Sequence, residues 1–334
     1  MSDHTDMTRE EALEQLLRKA PPRPVPAGAE EAKARTAVHD EWTRVVQHRT
    51  RRSNVAKFAL AATVLVAAFV SFNLFRTNGV APVQVATIDK SFGSIYLIGE
   101  RSELRETREL ELIVAGQAVK TGRGSGLGLA LSNGASLRVD EDTRIEFDDA
   151  STVRLHSGRV YVDSDPLTAA ASSADGVSIV TSQGVVTHLG TQYMTAFRGT
   201  ELSVSVREGR VTVEGSYHDA TVTPGQRVIL RGSQRPTVTN IATYGDAWSW
   251  TEDMAPGVEL DGKSIYDFLQ WVGHETGHEI RFETAGAERV AHDFTLEGTV
   301  ASSPAKALHL WMMTVDLAYR MEDGVIYISE IGAR

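Results

Sequence analysis

The chain has 334 residues, 42% of them hydrophobic, with no cysteine and a formal net charge of −10. An acidic balance of this size argues against nucleic acid as a partner. Without cysteine the chain is stabilised without disulfides, as suits a bacterial envelope protein.

Residues 1–55 are too few for a large core. Thr8-Arg9-Glu10-Glu11 reads as a capping box at a helix start, and Leu13, Leu16 and Leu17 follow at helical spacing. Pro21-Pro22-Arg23-Pro24-Val25-Pro26 ends that helix and makes an extended linker. A second helix is predicted from about Glu30. On it Ala34, Val38, Trp42 and Val45 form an apolar stripe, while Lys33, Arg35, Asp40, Glu41 and Arg44 take other faces. Two short amphipathic helices cannot bury both stripes alone. A partner protein that covers them is expected, against the alternative that they pack loosely on each other.

Residues 58–75, FALAATVLVAAFVSFNLF, form an uncharged apolar run broken only by Thr63, Ser71 and Asn73. At ~1.5 Å per residue the run spans ~27 Å, close to the ~30 Å hydrocarbon core of a bilayer. One transmembrane helix is predicted. Arg44, Arg49, Arg51, Arg52 and Lys57 precede it, and Arg76 alone follows before Lys90. Cationic flanks stay in the cytoplasm, so the N-terminus is inside and the long C-terminal part outside.

Residues 88–240 are short β-prone runs between turn signals spaced roughly 8–12 residues apart, which predicts an all-β sandwich or solenoid. Predicted strands include Leu127–Leu131, Ser136–Val139, Val153–Leu155 ahead of a Ser157-Gly158 turn, Arg159–Val162, Val177–Thr181 and Leu202–Val206. The glycines of Thr121–Gly128 miss the GxGxxG spacing, and no Walker lysine follows them, so they read as turn glycines.

The stretch Gly116–Gly122, then LALSNGASLRVDEDTRIEF, VRLHSGRVYVD, SIVTSQGVVTHLGTQYMTAF, VSVREGRVTVEG and VTPGQRVIL, resembles the periplasmic domain of FecR-type anti-sigma factors over about Gly93–Leu230. Gly116, Gly122, Gly134, Gly158, Gly190, Gly209 and Gly225 fall in its motifs, where they would supply turns or bulges.

Residues 257–331 change texture again. A helix is predicted over Ser264–Gly273, strands at Glu279–Phe282 and Phe294–Leu296, a helix opened by Pro304, and a hairpin of Ala318–Met321 and Val325–Ser329. This order resembles the small C-terminal α+β domain of FecR-like proteins, which is similar to the short signalling domain of secretins and TonB-dependent receptors. Trp248, Trp250, Trp271 and Trp311 read as core or interdomain packing.

His274-Glu275-Thr276-Gly277-His278 matches the zinc-peptidase pattern H-E-x-x-H letter for letter. That chemistry needs both histidines one helical turn apart on one face. Gly277 stands where a helix would end, which puts His278 past the cap. The stretch reads as a helix end with two solvated histidines. No catalytic, cofactor or metal residue is assigned.

The resemblance implies a single-pass inner-membrane regulator that holds an extracytoplasmic-function sigma factor through its N-terminal segment, with Ala34, Val38, Trp42 and Val45 as contacts. It also implies that the outer part senses the signalling domain of a TonB-dependent receptor. The chain would work by binding and release, with regulated proteolysis able to free the inner piece, and no step would need an active site. The alternatives are a membrane-anchored zinc peptidase using His274, Glu275 and His278, and a structural envelope module without a cytoplasmic partner.

Overall fold

Among the described residues, alternating apolar and polar side chains from Gln84 to Asn240 build fifteen strands hydrogen-bonded into one branched sheet. The computed structural model describes residues 83–99, 103–107, 110–164 and 176–331, with residues 18, 28–29, 32–33 and 35–36 nearer the N-terminus. In the N-terminal unit the described residues are helical and exposed, and the Thr36 hydroxyl donates to the Ala32 carbonyl at 2.9 Å. The stripe Ala34, Val38, Trp42 and Val45 and the predicted span 58–75 lie outside the described residues. Among the described residues no helix is long and apolar enough to cross a membrane.

The all-β reading of the next region holds. Its three longest strands are Thr152–Asp163, Gly184–Arg198 and Glu201–Gly215. The Thr152–Asp163 strand pairs with Arg144–Phe147 through its first half and with Ser136–Val139 through its second. That change of neighbour brings both parts of the sheet over one apolar core. Leu127, Leu129, Leu137, Val139, Ile145, Phe147, Val160, Val162, Val204 and Val206 are all fully buried there.

The predicted Ser157-Gly158 turn is absent, because the strand runs on through a bulge. Gly158 has φ 100°, and a Cβ there would lie 2.5 Å from the Thr143 Cα. A bulge with so close a backbone approach needs glycine. Gly209 does the same inside Glu201–Gly215, where its missing Cβ leaves room for the Gly190 carbonyl. In the Thr121–Gly128 loop the positive φ belongs to Gly124, not Gly122.

Beyond Asn240 a second core forms around the Ile265–Thr276 helix. Ser264 and Asp267 close a full capping box at its start. Phe268, Leu269 and Val272 face Leu308 of the Pro304–Met312 helix and Ile326 and Ile328 of the Val325–Glu330 strand. That strand is central in a three-stranded sheet, parallel to Glu279–Phe282 and antiparallel to Leu317–Glu322. Two expectations fail here. Phe294–Leu296 is not a strand: Thr295 makes a single bridge to Ser264, and the short pair is Val258–Glu259 with Thr299–Val300. Ala285–Asp293 is a helix, started by the Thr284 hydroxyl accepting from the Ala287 N–H at 3.1 Å. It buries Ala287 and Ala291 one turn apart, and packing against neighbours supplies its stability.

His188 shows how local packing fixes a protonation state. The Val177 N–H donates to its Nε2 at 2.7 Å, so Nε2 is an acceptor and Nδ1 carries the proton toward Ser164 Oγ, 3.2 Å away. Burial pushes its pKa down to about 4. The unfolded chain, with an ordinary value of about 6.5, therefore binds more protons between these values, and stability falls as pH drops through that window. The melting temperature of the wild type should fall more steeply from pH 6.5 to 4 than that of His188→Gln. Parallel pH profiles would overturn this account.

Candidate functional site

One face of the sheet fills the apolar core, and strand alternation puts a different set of residues on the other. Register sets Arg138 opposite Tyr161, Tyr161 opposite Met194, and Asp163 opposite Gln192. Arg207 stands on the same face of the next strand. These side chains are covered by the end of the Ile265–Thr276 helix and by the segment around Trp248, so a charged surface becomes a buried junction.

The helix end delivers His274 and Glu275 onto this face. Arg138 Nη2 lies 2.7 Å from Glu275 Oε2, with side-chain exposures of 0% and 1%. The same nitrogen is 3.8 Å from Asp163 Oδ2, and Nη1 donates to the Thr251 carbonyl at 3.1 Å. His274 Nε2 sits 2.9 Å from Asp163 Oδ2, and the Gln192 amide donates to that carboxylate at 3.1 Å. Burial alone would lower the Arg138 pKa, but the charges of Glu275 and Asp163 outweigh it and leave the value raised. The guanidinium stays charged.

Arg207 ties the same helix end to the linker. Its Nε donates to the Thr243 carbonyl at 2.8 Å and its Nη1 to the Glu275 carbonyl at 3.0 Å. The guanidinium lies 4.6 Å from the ring of Trp248, which is fully buried, stands edge-on to Tyr161 and donates to the Ala242 carbonyl at 2.7 Å. Burial raises the Tyr161 pKa, so its phenol stays neutral. Trp250 covers Arg159, while Trp271 and Trp311 pack beside Phe268.

This geometry settles the H-E-x-x-H pattern. Gly277 takes φ 73° and ψ 21° as the left-handed cap, and the helix stops one residue before it. His278 leaves in another direction, with its Nδ1 2.9 Å from Thr276 Oγ1 and its ring 5.1 Å from Tyr244. The two histidines do not converge. The expectation that they are solvated is corrected, since His274 is only 15% exposed and is held by Asp163. Donor atoms of Asp163, His274 and Glu275 do lie within 4.8 Å of one another, a spacing that suits a metal ion. Arg138, however, sits against both carboxylates and supplies the positive charge a cation would bring. The donor set fits an ion-pair network better than a metal centre.

Sequence reasoning missed this junction. The available signal was parity: Arg138 and Asp163 occupy outward positions in strands whose inward positions are all apolar, yet both are buried.

Removing one member of a buried pair leaves an uncompensated charge and typically costs ~3–5 kcal/mol, whereas replacing both by apolar groups is often neutral. Glu275→Ala should lose about that much in denaturant unfolding, and the double variant Arg138→Met, Glu275→Leu should recover most of it. A loss below ~1 kcal/mol for Glu275→Ala would show that the pair is not the main tie.

Residues 117–212 match the family model described as FecR protein. A comparison with curated proteins finds no match. Two solved structures of a "putative anti-sigma factor" from Parabacteroides distasonis ATCC 8503, at 1.65 and 2.50 Å, are 16% identical to this chain. Each covers 64% of it and 98% of its own length, with TM-scores of 0.34 and 0.33. Residues 117–212 are thus similar to the FecR family, within the stretch whose sequence motifs resemble it.

Proposed function

We propose that this chain is a regulator of the FecR type that holds a sigma factor through residues 1–55 and is anchored by a single span at 58–75. The observation that carries the reading is the FecR match over 117–212. The flanking charges of the apolar run support a cytoplasmic N-terminus and an outer C-terminal part. On this reading the outer part receives the signalling domain of a TonB-dependent receptor. The mechanism is binding and release, and the buried charges at the junction serve structure, not turnover.

The stripe Ala34, Val38, Trp42 and Val45 is the proposed sigma-factor contact, with Trp42 as anchor, because buried aromatics often dominate interface energies. Full-length protein in detergent should capture its extracytoplasmic-function sigma factor. Trp42→Ala should weaken that binding by at least ~2 kcal/mol, roughly thirtyfold. Lys33→Ala, at an exposed helical position, should cost well under ~1 kcal/mol. Equal affinities for wild type and Trp42→Ala would remove this face from the contact.

Topology is separately testable. Reporter fusions after Thr50 and after Asn240 should show cytoplasmic and periplasmic activity respectively. The reverse pattern would overturn both the orientation and the sigma-factor role.

A further inference from the structure

The outward face of the sheet that carries the junction continues past it into a small open cavity of about 170 Å³. Its floor is made of small side chains, Ala196 and Ser203, which register places side by side on neighbouring strands. Three guanidiniums stand around that floor. Arg159 is directly across from Ala196, Arg227 is across from Ser205, and Arg198 ends its strand at the rim. In a chain of net charge −10 this is a local concentration of positive charge.

The arginines are not equally available. Arg159 already bonds Asp140, with its Nε 2.6 Å from Oδ2. Arg227 donates from Nε to the buried Ser205 hydroxyl at 2.9 Å, which steadies its side chain at the cavity wall. Glu201, the acid at the rim, is engaged by Arg231 at 2.7 Å. Neither Arg198 nor Arg227 has a carboxylate partner among the described residues. Two guanidiniums without a carboxylate partner therefore line one small cavity, whose single lining acid, Glu201, is paired with Arg231.

We propose that this cavity binds a single oxyanion group, a carboxylate or a phosphate, held by Arg198 and Arg227. Paired guanidiniums match the geometry of such oxygens, and charge-assisted bonds of this kind are roughly twice as strong as neutral ones. The cavity has room for one such group between the two arginines. The oxyanion comes either from a free anion or from an acidic side chain of a protein partner. Either source touches the junction, because Met194 lines the cavity and packs with Tyr161 and Trp248, and Arg159 lies 4.6 Å from the Trp250 ring.

The test uses the full chain in detergent micelles at fixed ionic strength, replacing chloride with inorganic phosphate or adding a penta-glutamate peptide. A saturable rise in melting temperature is expected with at least one probe. Arg198→Gln with Arg227→Gln should weaken the midpoint at least tenfold, while Arg154→Gln, an exposed arginine paired with Asp148, should leave it unchanged. Phosphate alone acting identifies a free anion, and the peptide alone acting identifies a partner's carboxylate; both uphold the site. Arg198→Gln by itself, at an exposed position, guards against misfolding of the double variant and should also weaken binding. No saturable rise with either probe, or an unchanged midpoint in both arginine variants, overturns the proposal.

Discussion

The contact between Arg138 and Glu275 joins the β region to the small C-terminal part, because both charges are buried and neither side chain has another charged partner so close. Taking two charges out of water costs several kcal/mol per ion, and only excellent mutual geometry repays it. The cost makes position decisive. The helix end must arrive where Glu275 meets Arg138, and the same placement lets His274 reach Asp163 and lets Arg207 cap the Glu275 carbonyl. Gly277 is part of that constraint, since a Cβ there would sit 2.1 Å from the Thr243 carbonyl and 2.7 Å from Arg207 Nε. One left-handed glycine ends the helix and lets the sheet come close enough to pair.

The same residue separates a letter pattern from its chemistry. A zinc-binding helix needs its second histidine a full turn after the first, on a continuing helix. Here the left-handed cap rotates the backbone away, and Glu275, the residue that would serve as general base, is spent on Arg138. A general base must reach a water or substrate proton. A carboxylate closed against a guanidinium does not.

Much of the fold is legible in the sequence because strand alternation and glycine turns are local signals. Ser136–Val139 and Glu279–Phe282 lie where alternation puts them, and the Asp323-Gly324 hairpin turn follows from two successive positive-φ positions. What was not legible is non-local. Gly158 and Gly209 look like turn residues, yet pairing on both sides carries their strands through. The junction joins groups more than a hundred positions apart: His274 and Asp163 are separated by 111 residues, and no periodicity encodes such a pairing. Ala285–Asp293 buries only small side chains, Ala287 and Ala291, and is weakly hydrophobic overall, so its stripe is easily overlooked. The N-terminal stripe and the span rest on sequence alone.

The chemical character of the junction bears on the proposed regulatory role. An apolar interface tolerates sliding, because dispersion and area change gradually as surfaces shift. A buried charge network does not, since a small displacement leaves Arg138 or Glu275 desolvated and unpaired, a loss comparable to that of deleting a partner. Opening the joint to water rehydrates both charges. Trp248 reinforces this: its ring packs against both Tyr161 and the Arg207 guanidinium, so opening exposes aromatic surface together with Arg138, Glu275 and Arg207. On the proposed reading, a receptor that engages the small C-terminal part would meet a joint that resists gradual displacement. That is the physical behaviour a binding-and-release regulator needs, and it follows from which groups are buried, without any catalytic residue.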